Sequence, residues 1–128
     1  ARRHFNVRFR PIADIGDAWK TGAMFAFDKW AEWLKSEAAM RQTAELICRY
    51  SDNRNNPEMV SNPSFAMEME TAERLGSLQF WKQGTCDYAV FDIASGDQVA
   101  SEAGLAASNQ TVETIFVRFG SLFDDKRA

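Results

Sequence analysis

The sequence predicts an α+β fold: an antiparallel sheet of three to five strands packed against an N-terminal helical region and a C-terminal helix. Three observations carry that expectation. Phe27, Trp30, Ala31, Leu34 and Ala38 recur at spacings of three and four, so they line one face of a helix. Between residues 64 and 107 short runs alternate apolar with polar residues and are broken by turn signals, as half-buried strands are. Val112, Ile115, Phe116, Phe119 and Phe123 then form a second helical stripe. Helix, meander, helix is the order of a single sheet with helices on one face.

Each element has its own warrant. In residues 1–17, Phe5-Asn6-Val7-Arg8-Phe9 alternates like a short strand, and Pro11 ends it. A connector follows, with Asp17 as a candidate cap. Residues 18–50 read as a helical region, extended beyond the first stripe by Met24, Leu46, Ile47 and Tyr50. A helix this long seldom runs uncapped, so a bend near Ser36 or Met40 is expected, and residues 44–50 fit a strand as well as a helix. The stretch from Ser51 to Pro57 is a loop by composition, and Ser61-Asn62-Pro63 is a turn.

The meander occupies residues 64–107. Phe65, Met67 and Met69 alternate with Ala66, Glu68 and Glu70. From Leu75 to Lys82, Leu78 and Phe80 take one face while Gln79 and Trp81 take the other. Gly84 makes the reversal into Thr85–Ile93, whose second half is apolar on both faces and reads as the central strand. Short connections imply antiparallel neighbours. After the Ser95-Gly96-Asp97 turn, residues 98–107 fit an edge strand followed by a loop. The last helix spans residues 109–124, with Ser108 or Asn109 as its cap and Glu113 in its early turns.

A chain of 128 residues, 45% hydrophobic and carrying ten Phe and four Trp, suits one domain, 1–128, with a substantial core. The net charge of -3 argues against nucleic acid as a partner, because a phosphate-binding domain shows a basic stripe. The basic clusters, Arg2, Arg3, Arg8 and Arg10 and then Lys126 and Arg127, sit at the ends and read as solvated. No apolar run is long enough for a membrane span. No signal-type segment follows Ala1-Arg2-Arg3, so a cytoplasmic location is expected. Cys48 and Cys86 match no metal or redox spacing and read as reduced, buried thiols.

No catalytic constellation is assembled, so the chain reads as a non-enzyme without cofactor or metal. The one histidine, His4, lies in a basic N-terminal segment with no nucleophile beside it. One His and two distant Cys do not supply a zinc site, and no glycine-rich phosphate loop is present. Glu68 and Glu70 share a strand face, with Glu73 nearby, and the preferred reading is a solvated polar surface. Trp30 and Trp33 are read as core packing rather than a ligand cage.

Trp81 is more informative. Alternation sets it opposite the core face, beside Gln79, with Glu68 and Glu70 expected near it across the hairpin. Two readings stand. Either that face is open, and a large ring among carboxylates anchors a partner, or the N-terminal segment or Trp19 covers it.

The stretch Asn62-Pro63-Ser64-Phe65-Ala66-Met67-Glu68-Met69-Glu70, then Arg74-Leu75-Gly76 through Trp81, Gly84 and Cys86-Asp87 to Asp92, then the Ser95-Gly96 turn, resembles the TriTu-type immunity proteins of bacterial polymorphic toxin systems. Phe27 and Trp30 are similar to that family's tryptophan-bearing helix. The resemblance runs from about Phe25 to Asp97, with the last helix matching by position. It implies a protein that binds and neutralises a cognate toxin in the cell that makes it.

An acidic inhibitor suits a basic toxin such as a nuclease or nucleic-acid deaminase. Trp81, Glu68, Glu70, Asp87 and Gln79 are the expected contacts. A different class of function also fits the residues: a ligand-binding or regulatory domain with a Phe- and Met-lined pocket between helix and sheet. An enzyme built on the acid cluster ranks last.

Overall fold

A computed structural model describes residues 15–56 and 61–124. A short 3-10 segment, Ile15–Thr21, leads into α1 (Phe27–Arg41). Five strands follow: β1 (Ile47–Asp52), β2 (Ser64–Glu70), β3 (Arg74–Trp81), β4 (Thr85–Asp92) and β5 (Gln98–Ala106). The last element is α2 (Val112–Ser121). The strands form one sheet in chain order, each antiparallel to the next. The fold is thus α+β with an open meander, as the order of patterns predicts. The proposed strand at residues 5–9 and His4 lie outside the described residues.

Three boundaries differ from expectation. The helical region does not extend to residue 50. Its α-helix stops at Arg41, and residues 47–52 form β1. Gln42 already has extended backbone, φ -61 and ψ 127. The Thr43 hydroxyl then accepts the N–H groups of Glu45 and Leu46, both at 3.1 Å. This side-chain turn competes with helix continuation. In the new register Cys48 and Tyr50 pack against the core while Ile47 and Arg49 face away.

β4 is also not the central strand. It is fourth of five, and Phe91 at its end is 40% exposed rather than covered. Residues 98–106 are a full edge strand. The last helix is shorter than 109–124, and neither Ser108 nor Asn109 gives it a side-chain cap. Its N-cap is Thr111, without a side-chain cap bond. The Ser108 carbonyl instead accepts the Val112 N–H.

The alternation in each strand decides which side is interior. Phe65, Met67 and Met69 of β2, Leu78 and Phe80 of β3, and Cys86, Tyr88 and Val90 of β4 all point to one face and are buried. Both helices lie on that face. α1 packs on β1 and β2, with Phe27 against Phe65 at 5.2 Å between ring centroids. α2 sets Phe119 against Tyr88 and carries the chain to Phe123 over Gly76. Trp33 and Phe116 join the helices edge to face at 5.2 Å. Trp30, Leu34, Phe65, Met67, Met69, Phe80, Phe116 and Phe119 are each under 2% exposed. These are the residues that a pocket between helix and sheet would need as lining, and they are buried as core.

Two polar devices fix the layers. Asn109 is 4% exposed and sits where the 3-10 segment, α1 and α2 meet. Its Oδ1 accepts the Ala26 N–H and the Trp30 indole N–H, at 2.9 and 2.8 Å. Its Nδ2 donates to the carbonyls of Gly22, Met24 and Trp19. Arg54, after β1, donates to Asp28 and Glu32 of α1 and to Asp52 of β1, which ties the strand end to the helix start.

Candidate interaction face

The second sheet face is built from the alternate residues of the same strands, and both helices lie on the other side. The register arranges it in rows. Ile47, Glu70, Leu75 and Phe91 form one row, and Arg49, Glu68, Ser77, Ala89 and Ser101 form the next. Ser51, Ala66, Gln79 and Asp87 follow, and Ser64, Trp81 and Thr85 close the face.

This register corrects one expectation. Trp81 pairs with Ser64, not with the acidic end of β2. Glu68 and Glu70 lie four and six residues along the strand from Ser64, about 14 and 20 Å away at the strand rise. The ring is therefore not surrounded by those carboxylates. The reason is hairpin geometry: the Thr71–Glu73 turn joins Glu70 to Arg74, so Trp81 meets the opposite end of β2.

The five predicted residues fall into two groups. Trp81, Gln79 and Asp87 are neighbours, and Trp81 is partly exposed. Gln79 Nε2 donates to Ser64 Oγ at 2.9 Å, and Asp87 Oδ1 accepts the Gly104 N–H at 2.8 Å. Gly104 has φ +68, so the carboxylate holds β5 at an irregular position that glycine tolerates best. Glu68 and Glu70 form the second group, both bound by Arg49 at 2.8 and 3.2 Å. These pairs are half exposed, so their net worth is small. They leave one uncompensated negative charge on three groups, a shallow acidic rim.

Sequence reasoning missed the apolar end of the face. Phe91 is 40% exposed, Ile47 36%, Ile93 46% and Val99 37%. With Leu75 between Glu70 and Phe91, Ile47 and Phe91 line the end of the sheet opposite Trp81, while Ile93 lies in the turn after β4 and Val99 at a register irregularity of β5. The signal was present in β4. Cys86, Tyr88 and Val90 share one face, so strict alternation sends Asp87, Ala89 and Phe91 to the other.

Elsewhere, charges and rings are engaged with one another. Lys20 Nζ lies 5.4–5.7 Å from the ring centroids of Trp19, Trp30 and Trp33 and 3.0 Å from Glu113 Oε2. Trp30 and Trp33 thus pack in the core and also enclose a cation from their own chain. Trp19 packs edge to face on Trp30 at 4.8 Å, on the helix side, so it does not cover Trp81's face.

The thiols are free. Burial pushes Cys86 up to about 12, and burial, opposed by Arg41, pushes Cys48 up to about 11. Such thiols are poor nucleophiles at neutral pH. Cys86 is buried as expected, whereas Cys48 is only half-buried. Among the described residues no group of three or more His, Cys, Asp or Glu is placed to hold a metal ion, and no helix is long and apolar enough to cross a membrane.

The polar and aromatic side chains of this face are spread over one side of the sheet. The comparison with known families gives that surface a context. The family model described as "Immunity protein TriTu" matches residues 28–122. The chain belongs to this family and is an immunity protein, whose partner is a cognate toxin. No curated protein and no solved structure matches it.

Proposed function

We propose that this immunity protein neutralises its toxin by one-to-one binding through the sheet face opposite the helices. Trp81, Gln79 and Asp87 would engage the toxin at one end, and Phe91 with Leu75 and Ile47 at the other. Glu68 and Glu70 would supply an acidic rim between them. The observation that carries this reading is the placement of both helices on one side, which leaves Trp81 and Phe91 partly exposed on the other. Aromatic anchors within a polar rim are what tight protein interfaces use.

The toxin on this reading is basic, a nuclease or nucleic-acid deaminase, and meets its inhibitor in the cytoplasm. The net charge of -3 supports that choice, because opposite charge speeds encounter and makes the on-rate fall with salt. Neutralisation would be steric and non-enzymatic, with no cofactor.

Co-expression with the toxin encoded beside this chain's gene tests the function. Cells that die while the chain is soluble and folded would sink it. Trp81→Ala and Phe91→Ala test the face, each expected to weaken binding by about tenfold or more. Affinity within about twofold for both, with neutralisation intact, would move the interface elsewhere.

A further inference from the structure

We propose that the outer edge of β5 is where an extended, basic segment of the toxin docks, adding a sixth strand to the sheet. The inference rests on the toxin-binding reading above and names how the toxin is held. The two edges of the sheet are built differently. On β1 the Cys48 N–H is capped by Gln42 Oε1 at 3.0 Å, α1 packs beside the strand, and the strand carries the charged residues Arg49 and Asp52. These are the usual guards of an edge.

Among the described residues β5 has neither a capping side chain on an outward N–H nor a helix packed beside it, and its guards are one charge and two register irregularities, opposite Cys86–Tyr88 and Val90–Phe91. Its nine residues, Gln98 to Ala106, contain no Pro and no Lys. Its one charge, Glu102, is held by the Tyr88 hydroxyl and by Arg118. Ala100, Ser101, Ala103 and Gly104 are small enough to let a backbone approach. In an antiparallel ladder every second residue of an edge strand turns its N–H and C=O outward. The sheet order ends at β5, so among the described residues no strand receives those groups. The demand of such an edge is a peptide backbone in extended form.

Charge selects the occupant. Asp87, Asp97 and Glu102 lie on or beside β5, and the guanidinium groups near them among the described residues are Arg74 and Arg118. Arg74 is engaged with the Leu122 carbonyl and Arg118 with Glu102. A second copy of β5 would bring the same carboxylates together, which opposes self-pairing. A strand with Lys or Arg at alternate positions meets complementary charge instead.

The test is amide hydrogen exchange on the full chain, alone and with a catalytically inactive form of the toxin encoded beside its gene. Alternate amides within residues 98–106 are expected to slow by about tenfold or more in the complex alone. Ala103→Lys, at an exposed position, should keep the melting temperature while weakening binding by about tenfold, and Ala103→Glu should not weaken it.

Each other outcome overturns the proposal. A complex that forms and neutralises, but leaves 98–106 exchanging as in the free chain, removes the edge and keeps the toxin-binding reading. Absence of any complex removes both. Protection in the free chain that grows with concentration assigns the edge to a second copy. Protection independent of concentration assigns it to a segment of the same chain.

Discussion

Replacing Asn109 by alanine tests how the N-terminal layer is held to the rest of the fold. The side chain accepts two hydrogen bonds and shares its two amide hydrogens among three carbonyls, with the Trp19 contact the longest at 3.3 Å. The losses are unequal. Trp30 is fully buried, so its indole N–H loses its partner where water does not reach, a cost of about 1–3 kcal/mol. The Ala26 N–H is half-buried and forfeits about 1 kcal/mol. Gly22 and Met24 are exposed, so their carbonyls turn to water and together forfeit about 1 kcal/mol of net bonding. The expected total is about 3–5 kcal/mol, a large share of the ~5–15 kcal/mol that stabilises a domain.

Urea unfolding followed by tryptophan fluorescence measures it, and a double-mutant cycle with Trp30→Phe isolates the indole bond. Trp30→Phe should cost much less once Asn109 is already alanine, with a coupling of about 1 kcal/mol or more. Asn109→Asp retains both acceptor contacts but turns a carboxylate oxygen toward three carbonyls. It should fall between wild type and alanine and improve as the pH is lowered toward the carboxylate range. A cost for Asn109→Ala under about 1 kcal/mol, or simple additivity with Trp30→Phe, would refute the view that this side chain clamps the layer.

Other consequences follow from the same contacts. Gly76→Ala would set a Cβ 2.8 Å from the Ala89 carbonyl, the Phe123 ring and Val90 Cγ2, so a loss of about 1–3 kcal/mol is expected, partly recovered by Phe123→Leu. Lys20→Met removes the cation from three indoles and from Glu113. It should cost about 1–2 kcal/mol and change native tryptophan emission, whereas Lys20→Arg keeps most of both.

Folding raises both thiols above the ordinary range, so the folded chain holds those protons more tightly than the unfolded chain does. Their contribution is complete below the unfolded thiol value and is lost as the pH rises from it toward about 11 and 12. Unfolding midpoints should therefore decline above that value, and less steeply in a Cys48→Ala, Cys86→Ala variant. At neutral pH, native Cys86 should resist alkylation and react once unfolded.

Local periodicity was enough to determine the class of fold, both helices and the interior sides of β2 and β3. The spacing of Trp30, Leu34, Phe116 and Phe119, and the alternation around Met67 and Leu78, state by themselves which residues leave water. Alternation also put Trp81 and Gln79 on the non-core face, because a strand's two sides follow from a period of two. Pairing register was not legible. Which residue of β2 faces Trp81 depends on where the turn closes, and that contact set Glu68 and Glu70 at the far end. The same limit hid the apolar group of Ile47, Leu75 and Phe91, whose members are distant in sequence and meet only across strands.

β1 was ambiguous because Ile47 to Tyr50 is apolar enough for either period, and a side-chain turn at Thr43 decided it. Asn109 looked like a helix cap, since Asn before an apolar stripe usually is one. Only the tertiary structure brought Ala26, Trp30 and three carbonyls to it. Short-range patterns report burial, because burial repeats with the geometry of one element. Partners across elements are chosen by how those elements pack, and no local window of sequence contains that choice.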